Sequence, residues 1–417
     1  MTDPPGFSIS RDGCLVSFFP SDAAELQRSL GSVRAEIASV LERALREIPP
    51  TQEEALLLLR HAARHPAPLL TTARLLRDRH KGRTITYSPK VFLPLTNLCR
   101  DYCSYCTFRK DPRDPGAWTM LPEEVRDWSR KGKQAGCIEA LFCLGDRPER
   151  AFREYRETLA VLGHRSTPEY LVAACRIALD EGLLPHTNAG ILRKDEMREL
   201  KSCNVSLGLM LENASPRLRL PGQAHHHAPD KDPALRVRMI EEAGELRIPF
   251  TTGILLGIGE TLPERVESLY LLRDLQRSYG HIQEIIVQNF RAKPATRMAR
   301  APEPETWEVA ATAALCRLLL PDANIQVPPN LNPHDHRLLL AAGINDWGGI
   351  SPVTLDYVNP EAPWPLVASL ARTCAELGYA LRPRLPVYPE YLRFPGFVDE
   401  PLRRRALELA REKGVAL

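Results

Sequence analysis

Val91-Phe-Leu-Pro-Leu-Thr-Asn-Leu-Cys-Arg-Asp-Tyr-Cys-Ser-Tyr-Cys106 is the stretch that decides the fold of this 417-residue chain. Its apolar beginning, 91–96, predicts a buried strand. Three cysteines follow at C-x-x-x-C-x-x-C spacing, namely Cys99, Cys103 and Cys106. We therefore expect a loop of three thiols at the carboxyl end of a strand, where α/β enzymes carry their chemistry.

Three closely spaced thiolates suit a 4Fe–4S cluster with one iron left without a protein ligand, because such clusters are normally held by four cysteines. A zinc site is one alternative, although zinc wants four ligands and its sites usually show paired C-x-x-C halves. Three unrelated buried thiols are the other alternative. The spacing favours the iron–sulfur cluster.

The cysteine loop resembles that of the radical S-adenosylmethionine (SAM) enzymes. The resemblance implies that the amino and carboxylate groups of SAM chelate the open iron, and that Tyr105 lies near the adenine. In these enzymes the second strand typically ends in a G-G-E-like motif that holds the methionine amino group. Leu144-Gly145-Asp146 occupies that place here, so Gly145 and Asp146 are predicted cofactor contacts.

The composition predicts an intracellular enzyme, which we expect to be cytoplasmic. A content of 44% hydrophobic and 26% charged residues suffices for a large core. No apolar stretch approaches the roughly 20 residues that span a bilayer, and the start lacks the basic region of a secretion signal. A net charge of +3 makes nucleic acid a poor partner. Scattered spacing of the other cysteines indicates a reducing compartment. They are Cys14, Cys137, Cys143, Cys175, Cys203, Cys316 and Cys374.

The first 85 residues predict a helical extension. Apolar residues recur every three or four positions over 21–48, which predicts one amphipathic helix. Thr51-Gln-Glu-Glu54 is a capping box for a second helix, and a third is predicted over 69–79, before Gly82. We interpret this segment as packed on the main domain; a lid or a partner-binding surface is the alternative.

Strand and helix signals alternate from Val91 onward, which predicts an α/β fold, a (β/α)8 TIM-type barrel. The resemblance of the cysteine loop implies that the barrel is of the radical SAM class. The predicted domains are an N-terminal helical extension over 1–85, the barrel over 86–352 and a C-terminal cap over 353–417. The predicted strands are 91–96, 138–144, 184–188, 205–211, 250–256, 284–289, 324–327 and 343–346. The predicted helices between them are 122–135, 168–181, 233–246, 263–279 and 305–320.

Residues that follow the strands of such a barrel converge on one mouth. Here those positions are rich in amides, carboxylates and glycines. Glycines let backbone groups approach a flat ligand such as adenine, and a carboxylate accepts strong hydrogen bonds from ribose hydroxyls or an ammonium group. The strand ends therefore add four predicted cofactor-binding residues, Glu212, Gly253, Gly257 and Glu260.

Six segments of the chain resemble the 7,8-didemethyl-8-hydroxy-5-deazariboflavin synthase family, the CofG subunit, and the N-terminal half of the fused two-domain synthase. The likeness runs in order over about residues 85–395. The segments are 87–96, 98–108, Glu139-Ala-Leu-Phe-Cys-Leu-Gly-Asp-Arg-Pro-Glu149, Pro229-Asp-Lys-Asp-Pro233, Val287-Gln-Asn-Phe-Arg-Ala-Lys-Pro294 and Ala342-Gly-Ile-Asn-Asp-Trp-Gly-Gly-Ile-Ser-Pro352.

The resemblance implies a radical SAM lyase in the biosynthesis of coenzyme F(420). A CofH partner enzyme joins a tyrosine-derived 4-hydroxybenzyl group to 5-amino-6-(D-ribitylamino)uracil. A CofG enzyme then uses a 5′-deoxyadenosyl radical to abstract hydrogen from that adduct, close the central ring and release ammonia. Because this chain carries one three-cysteine loop, we expect it to perform only the second step, with a flavodoxin or ferredoxin type electron donor.

The ribityl chain and the uracil offer many hydrogen-bonding groups, so polar residues at the later strand ends are predicted substrate contacts. These are Gln288, Asn289, Arg291, Asn330, Asn345 and Asp346. An acid or base must also manage the leaving amine and the phenol. The candidates for that role are His186, Asp146 and Asp230.

Two other interpretations stay open at this stage. The first is a CofH-like or another tyrosine-handling radical SAM enzyme, which the cysteine loop sequence and Gly145-Asp-Arg-Pro-Glu149 argue against. The second is a non-catalytic iron–sulfur carrier or zinc-binding scaffold. A carrier would not need a barrel with polar groups at each strand end.

Overall fold

Eight parallel strands close into a barrel in the computed structural model, which describes residues 22–415. The first strand pairs with both the second and the eighth, so the barrel has no gap. The predicted (β/α)8 fold is therefore confirmed. The strands are β1 (Thr84–Leu93), β2 (Glu139–Cys143), β3 (Leu184–Asn188), β4 (Ser206–Gly208), β5 (Phe250–Leu256), β6 (Ile282–Asn289), β7 (Ile325–Gln326) and β8 (Asp346–Ile350).

Four helices precede the barrel, α1 (Asp22–Gly31), α2 (Ala35–Leu45), α3 (Gln52–Ala62) and α4 (Ala67–Lys81). The predicted single helix over 21–48 is wrong within the described residues. The chain turns after Gly31, the residue of poor helix propensity in that stretch, and the Ser32 hydroxyl donates to the Ser29 carbonyl at 2.7 Å. The capping box of Thr51 and Glu54 is confirmed, and Gly82 ends α4 with a φ of 63°.

The helices around the barrel begin where proline or a polar cap follows a strand loop. Each of the five predicted helices is confirmed to within about two residues at either end. The helices are α5 (Pro122–Gln134), α6 (Pro148–Ala151), α7 (Arg153–Val161), α8 (Thr167–Asp180), α9 (Lys194–Lys201), α10 (Pro233–Glu245), α11 (Leu262–Tyr279), α12 (Thr306–Leu319) and α13 (His336–Ala341). None of the helices between residues 22 and 415 is long and apolar enough to cross a bilayer.

The C-terminal segment closes the amino end of the barrel. It contains α14 (Val367–Glu376), β9 (Ala380–Pro383), α15 (Pro389–Arg393) and α16 (Glu400–Lys413). Strand β9, which the sequence pattern did not predict, pairs with the start of β1. Beyond it, Leu385 and Val387 form a buried cluster with Ile138, Leu184 and Val205, which stand at the beginnings of β2, β3 and β4. This cluster seals the floor under the barrel interior. The boundaries at 85 and 352 stay predictions.

Strand β8 lies later in the sequence than predicted, and this shift changes the place of two candidate site residues. Asn345 and Asp346 were expected at the end of the strand, but β8 begins at Asp346. Both residues therefore lie at the floor of the barrel. Asn345 accepts hydrogen bonds from the Arg317 guanidinium and the Ile325 amide, each at 2.9 Å, and Asp346 pairs with Arg384 at 2.6 Å. Neither lies on the wall of the central cavity described below.

Asn345 is expected to act on stability rather than on the reaction. Asn345→Ala removes the acceptor of a buried guanidinium, so we expect a loss of about 1–3 kcal/mol in the free energy of unfolding. Urea unfolding of the cluster-free protein measures this change. Asn345→Asp keeps the acceptor oxygen and is the matched control, with a smaller loss. An equal loss in both variants would show that the bond to Arg317 does not carry the effect.

Candidate active site

The barrel encloses a cavity of about 330 Å³ that runs from the cysteine loop to the residues above the floor. Side chains on alternate positions of the strands line it, as the pleat of a β-strand requires. On β1, Lys90 and Phe92 face the cavity, whereas Val91 faces outward and packs on Gly132 of α5. The cavity is therefore a deep pocket between one open mouth and a sealed floor.

The three predicted metal ligands, Cys99, Cys103 and Cys106, all line the mouth of this cavity. The loop that carries them is held from outside by backbone hydrogen bonds, with the Tyr102 amide donating to the His227 carbonyl at 2.9 Å. The Cys99 sulfur accepts the Asp146 amide at 3.1 Å. The thiols are thus positioned by the fold before any ligand binds.

The spacing of the three thiols can be compared with what a zinc ion requires. A tetrahedral zinc ion with Zn–S bonds of about 2.3 Å holds its sulfurs within about 4 Å of one another. Within residues 22–415, the ligand groups that come within 4.8 Å of one another are three aspartates, and the three thiols are not such a set. Burial raises the pKa of Cys99 well above its usual value and that of Cys103 to about 12. A bound cation would favour the thiolate forms of these buried thiols.

Three buried carboxylates, Asp101, Asp146 and Asp230, stand beside the cysteine loop with oxygen atoms within 4.8 Å of one another. The Arg100 guanidinium pairs with Asp230 through two hydrogen bonds, from Nε to Oδ2 and from Nη2 to Oδ1. Burial, followed by the charges of Asp230 and Asp101, raises the pKa of Asp146 to about 8. Gly190 makes room for this cluster, since a β-carbon there would lie 2.2 Å from the Asp146 carboxyl carbon. Three carboxyl groups thus share one buried site at the cavity mouth, where Arg100 is paired with Asp230.

Glu212 and Lys231 form an ion pair on the cavity wall. Glu212 has a φ of 65°, a rare conformation for a residue with a side chain. Its amide donates to the Gly253 carbonyl at 3.1 Å, which ties the turn to β5. Both charges of the pair act on the Cys103 thiol. The charge of Lys231 lowers the pKa of this thiol, and the charge of Glu212 raises it.

Four more of the predicted site residues also line the cavity: Tyr105, His186, Gln288 and Asn330. The His186 ring bonds the Ser206 hydroxyl at 2.6 Å, and burial lowers its pKa to about 4, so the ring is neutral at physiological pH. The Tyr105 hydroxyl lies 3.0 Å from the His225 ring nitrogen. Gly145 completes the set at the mouth. The structure thus gathers ten predicted residues around one space when the three cysteines, Asp146 and Glu212 are included.

The glycines of β5 and of the turn after it are closely packed. A β-carbon on Gly253 would lie 2.1 Å from the Ile286 carbonyl oxygen, so this glycine serves the close approach of β5 and β6. It shares the inward side of β5 with Thr251 and Leu255, which line the cavity. Gly257 has a φ of 87° and packs against Pro304. The Glu260 carboxylate accepts the Gly257 amide at 3.0 Å and folds the turn back on itself. Each of the three residues therefore has a local structural role.

Asn289 and Arg291 also lie off the cavity wall. The side-chain oxygen of Asn289 accepts a hydrogen bond from the side-chain amide of Asn332 at 2.8 Å. The Arg291 guanidinium donates to the Leu331 carbonyl at 2.8 Å and pairs with Glu303 at 2.6 Å. Both side chains hold the loop after β7 in place. Strand β6 therefore contributes Gln288 to the cavity and turns its next residues to that loop.

Several cavity residues were not among the predicted ones. They are Lys90, Asp101, Glu139, Cys143, Asn188, Lys231, Arg236, Thr251, Gln283, Glu284, Gln326, Asp356, Asn359 and Arg384. Strict alternation along β1 and β2 would have marked Lys90, Glu139 and Cys143, because every second residue of a barrel strand points inward. Arg384 comes from the cap, and only the tertiary structure brings it to the barrel.

Comparison with known proteins agrees with this architecture. A profile described as the radical SAM superfamily matches residues 93–272. The crystal structure of HydG, a maturase of the FeFe-hydrogenase, superposes with a TM-score of 0.68 at 17% identity, over 94% of this chain and 83% of that chain. At that identity the likeness concerns the fold. The barrel, the thiol loop and the profile together define a radical SAM enzyme.

Two relatives narrow the class to a family. A 7,8-didemethyl-8-hydroxy-5-deazariboflavin synthase from Methanopyrus kandleri is 51% identical over 310 residues, which are 74% of this chain and 93% of the relative. The chain belongs to the 7,8-didemethyl-8-hydroxy-5-deazariboflavin synthase family. An FO synthase from Streptomyces coelicolor is 45% identical over 400 residues, which are 93% of this chain and 46% of that longer protein.

Gly145 is expected to be required for cluster assembly. A β-carbon there would lie 1.9 Å from the Leu98 carbonyl oxygen and 2.7 Å from the Cys99 β-carbon, so Gly145→Ala must displace Cys99. We expect iron bound after anaerobic reconstitution to fall at least fivefold, measured by iron and sulfide analysis. Gly31→Ala is the control, because a β-carbon at Gly31 meets nothing within 4 Å. Full iron content in Gly145→Ala would contradict this geometry.

Proposed function

We propose that this chain converts 5-amino-5-(4-hydroxybenzyl)-6-(D-ribitylimino)-5,6-dihydrouracil to 7,8-didemethyl-8-hydroxy-5-deazariboflavin and releases ammonia, as a radical SAM lyase of coenzyme F(420) biosynthesis. One observation carries the proposal. The three thiols stand at the mouth of a sealed, polar-walled barrel, in a chain 51% identical to a relative with that synthase name.

The residues at the mouth suit a 4Fe–4S cluster and SAM. Cys99, Cys103 and Cys106 would hold the cluster, whose unique iron needs a ligand from outside the protein. When bound, the cluster and SAM supply a 5′-deoxyadenosyl radical. Asp146, which lies beside Asp101 and Asp230, offers a hydrogen-bond acceptor for the ammonium group of the methionine part of SAM. Burial and the neighbouring aspartates raise the pKa of Asp146, and a cation beside the three carboxyl groups would favour their ionised forms.

The remaining predicted mouth residues serve the rest of the cofactor. Glu212 has one carboxylate oxygen paired with Lys231, and its other oxygen is available for a ribose hydroxyl. Tyr105 is half-buried on the cavity wall beside His225 and offers an apolar ring to the adenine. These side chains would bind the nucleoside part of SAM beside the cysteine loop.

Inside the barrel, the chain's own residues position the substrate and exclude water. Gln288 and Asn330 offer amide groups to the uracil and the ribityl chain. His186 is neutral and keeps one ring nitrogen free for a proton from the phenol or to the leaving amine. Holding the two halves of the adduct in one sealed space favours ring closure over quenching by solvent. The positions of Asp146 and Asp230 beside the cysteine loop suit a contact with SAM better than the acid–base role.

The partners follow from the extent of the chain's relatives. This chain matches 46% of the length of the Streptomyces coelicolor FO synthase. We propose that a CofH-type activity supplies the adduct. The cluster also needs one electron per turnover, which a flavodoxin or ferredoxin type donor would deliver at the exposed side of the cysteine loop.

The proposed function predicts turnover of the joined adduct by this chain alone. Reconstituted protein with SAM and a reductant should form a fluorescent deazaflavin, with 5′-deoxyadenosine, methionine and ammonium. It should form none from tyrosine plus 5-amino-6-(D-ribitylamino)uracil, because a CofH-like enzyme would be needed to join them. Cys99→Ala, Cys103→Ala and Cys106→Ala should each abolish turnover, and Cys374→Ala, buried in α14, should not. Deazaflavin from tyrosine without a partner would overturn the assignment.

Glu212 is predicted to bind SAM and Glu260 is not. Glu212→Gln removes the charge that accepts the ribose hydroxyl, so we expect SAM affinity to fall about tenfold, or about 1.4 kcal/mol. Equilibrium dialysis against the reconstituted protein measures this. Glu260→Gln is the matched control, since its carboxylate bonds backbone amides and Arg265 away from the cavity. Equal affinities in the two variants would remove Glu212 from the cofactor site.

A further inference from the structure

Lys90 is a buried cation on the cavity wall without a salt bridge or hydrogen bond to its ammonium from any residue between 22 and 415. Its side chain is 7% exposed, and it lines the cavity. The other four cations on that wall each donate to a carboxylate or a carbonyl oxygen. They are Arg109, Lys231, Arg236 and Arg384. A desolvated ammonium is costly to leave unpaired. Its free donors therefore indicate a ligand.

The fold directs the Lys90 side chain into the cavity and keeps it there. Gly349 on β8 leaves the space it occupies, since a β-carbon at Gly349 would lie 2.2 Å from the Lys90 δ-carbon. The ammonium stands 4.6 Å from the centre of the Trp364 ring and 5.5 Å from that of Phe92. The lysine thus ends between two aromatic side chains at the cavity wall.

The two carboxylates whose charges act most strongly on Lys90, Glu139 and Asp356, have hydrogen-bond partners of their own. Glu139 accepts the Ser88 hydroxyl. Asp356 accepts the Asn330 side chain at 2.9 Å and two amides of its own loop. Burial lowers the pKa of Lys90, and the charges of Glu139 and Asp356 raise it. These acids favour the charged form of the lysine from a distance and leave its N–H groups for something else.

We propose that Lys90, Phe92 and Trp364 form the subsite for the hydroxyphenyl ring of the substrate, with the Lys90 ammonium donating a hydrogen bond to the phenol oxygen. This inference rests on the proposed function. Aromatic walls take a ring by stacking or edge contact, and a charge-assisted bond from an ammonium suits a phenol oxygen. The uracil and the ribityl chain would use the polar groups but not the aromatic walls.

The test pairs one lysine variant with one substrate analogue. Lys90→Met removes the donor and keeps the length of the side chain, and the benzyl analogue of the adduct lacks only the phenol hydroxyl. Equilibrium dialysis with the reconstituted protein and SAM gives four affinities. We expect Lys90→Met to bind the adduct at least tenfold more weakly than wild type. Wild type should bind the analogue with a similar loss, and Lys90→Met should lose less than twofold further on the analogue.

Two additional variants separate this role from a structural one. Lys131→Met is the matched control, because Lys131 also stands 4.6 Å from a tryptophan ring, that of Trp128, but on the exposed face of α5. It should leave both affinities unchanged. Gly349→Ala fills the space of the Lys90 side chain and should reproduce the loss of Lys90→Met without removing the lysine. Iron content and thermal unfolding verify that each variant is folded.

Other outcomes overturn the subsite. An equal loss for adduct and analogue in Lys90→Met would place the lysine on another part of the substrate, and an unchanged affinity would remove it from the site. If wild type turns over the adduct while Lys90→Met binds it normally, the subsite alone is wrong. If wild type neither binds nor turns over the adduct, the proposed function fails together with the subsite.

Discussion

The pairing of β1 with three other strands is the constraint on which the rest of the structure depends. Its second half pairs with β2 from Lys90 to Leu93, and its first half pairs with β8 and with β9 of the cap. One strand thus closes the barrel, attaches the cap and leads into the cysteine loop. Because the register of these pairings is shared, the thiols and Lys90 are placed by the same hydrogen bonds that hold the barrel shut.

Charge pairing inside the barrel is the second organising feature. Buried charges are tolerated where partners and hydrogen bonds replace lost hydration. At the floor, Arg384 pairs with Asp346 and Glu284. At the mouth, three aspartates share one site in which Arg100 pairs with Asp230. Among the described residues, the Lys90 ammonium has aromatic neighbours but no hydrogen bond or salt bridge. The proposed cofactor and substrate contacts lie at these two places.

The sealed floor gives the site its direction. The buried cluster of the cap and the starts of β2, β3 and β4 closes one end, and the cysteine loop stands at the other. For the proposed reaction, which must protect a reactive carbon from water, the depth of the cavity matters as much as any one side chain.

The sequence by itself determined the barrel, the thiol loop and most of the mouth. Thiol spacing and apolar periodicity are properties of short segments, so the predicted strands 184–188 and 250–256 agree with β3 and β5 residue for residue. The family resemblance predicted Asp146 and Tyr105 as site residues, and both line the cavity. Asn345 and Asp346 were misplaced because the start of β8 depends on pairing with β1 and β7, which periodicity over a few residues does not encode. Gly253 and Gly257 were assigned to a ligand, whereas their neighbours, Ile286 and Pro304, come from distant parts of the chain. The ion pairs of Arg384 and the unpaired ammonium of Lys90 were decided only by the tertiary structure, because the partners of a buried charge are set by non-local packing.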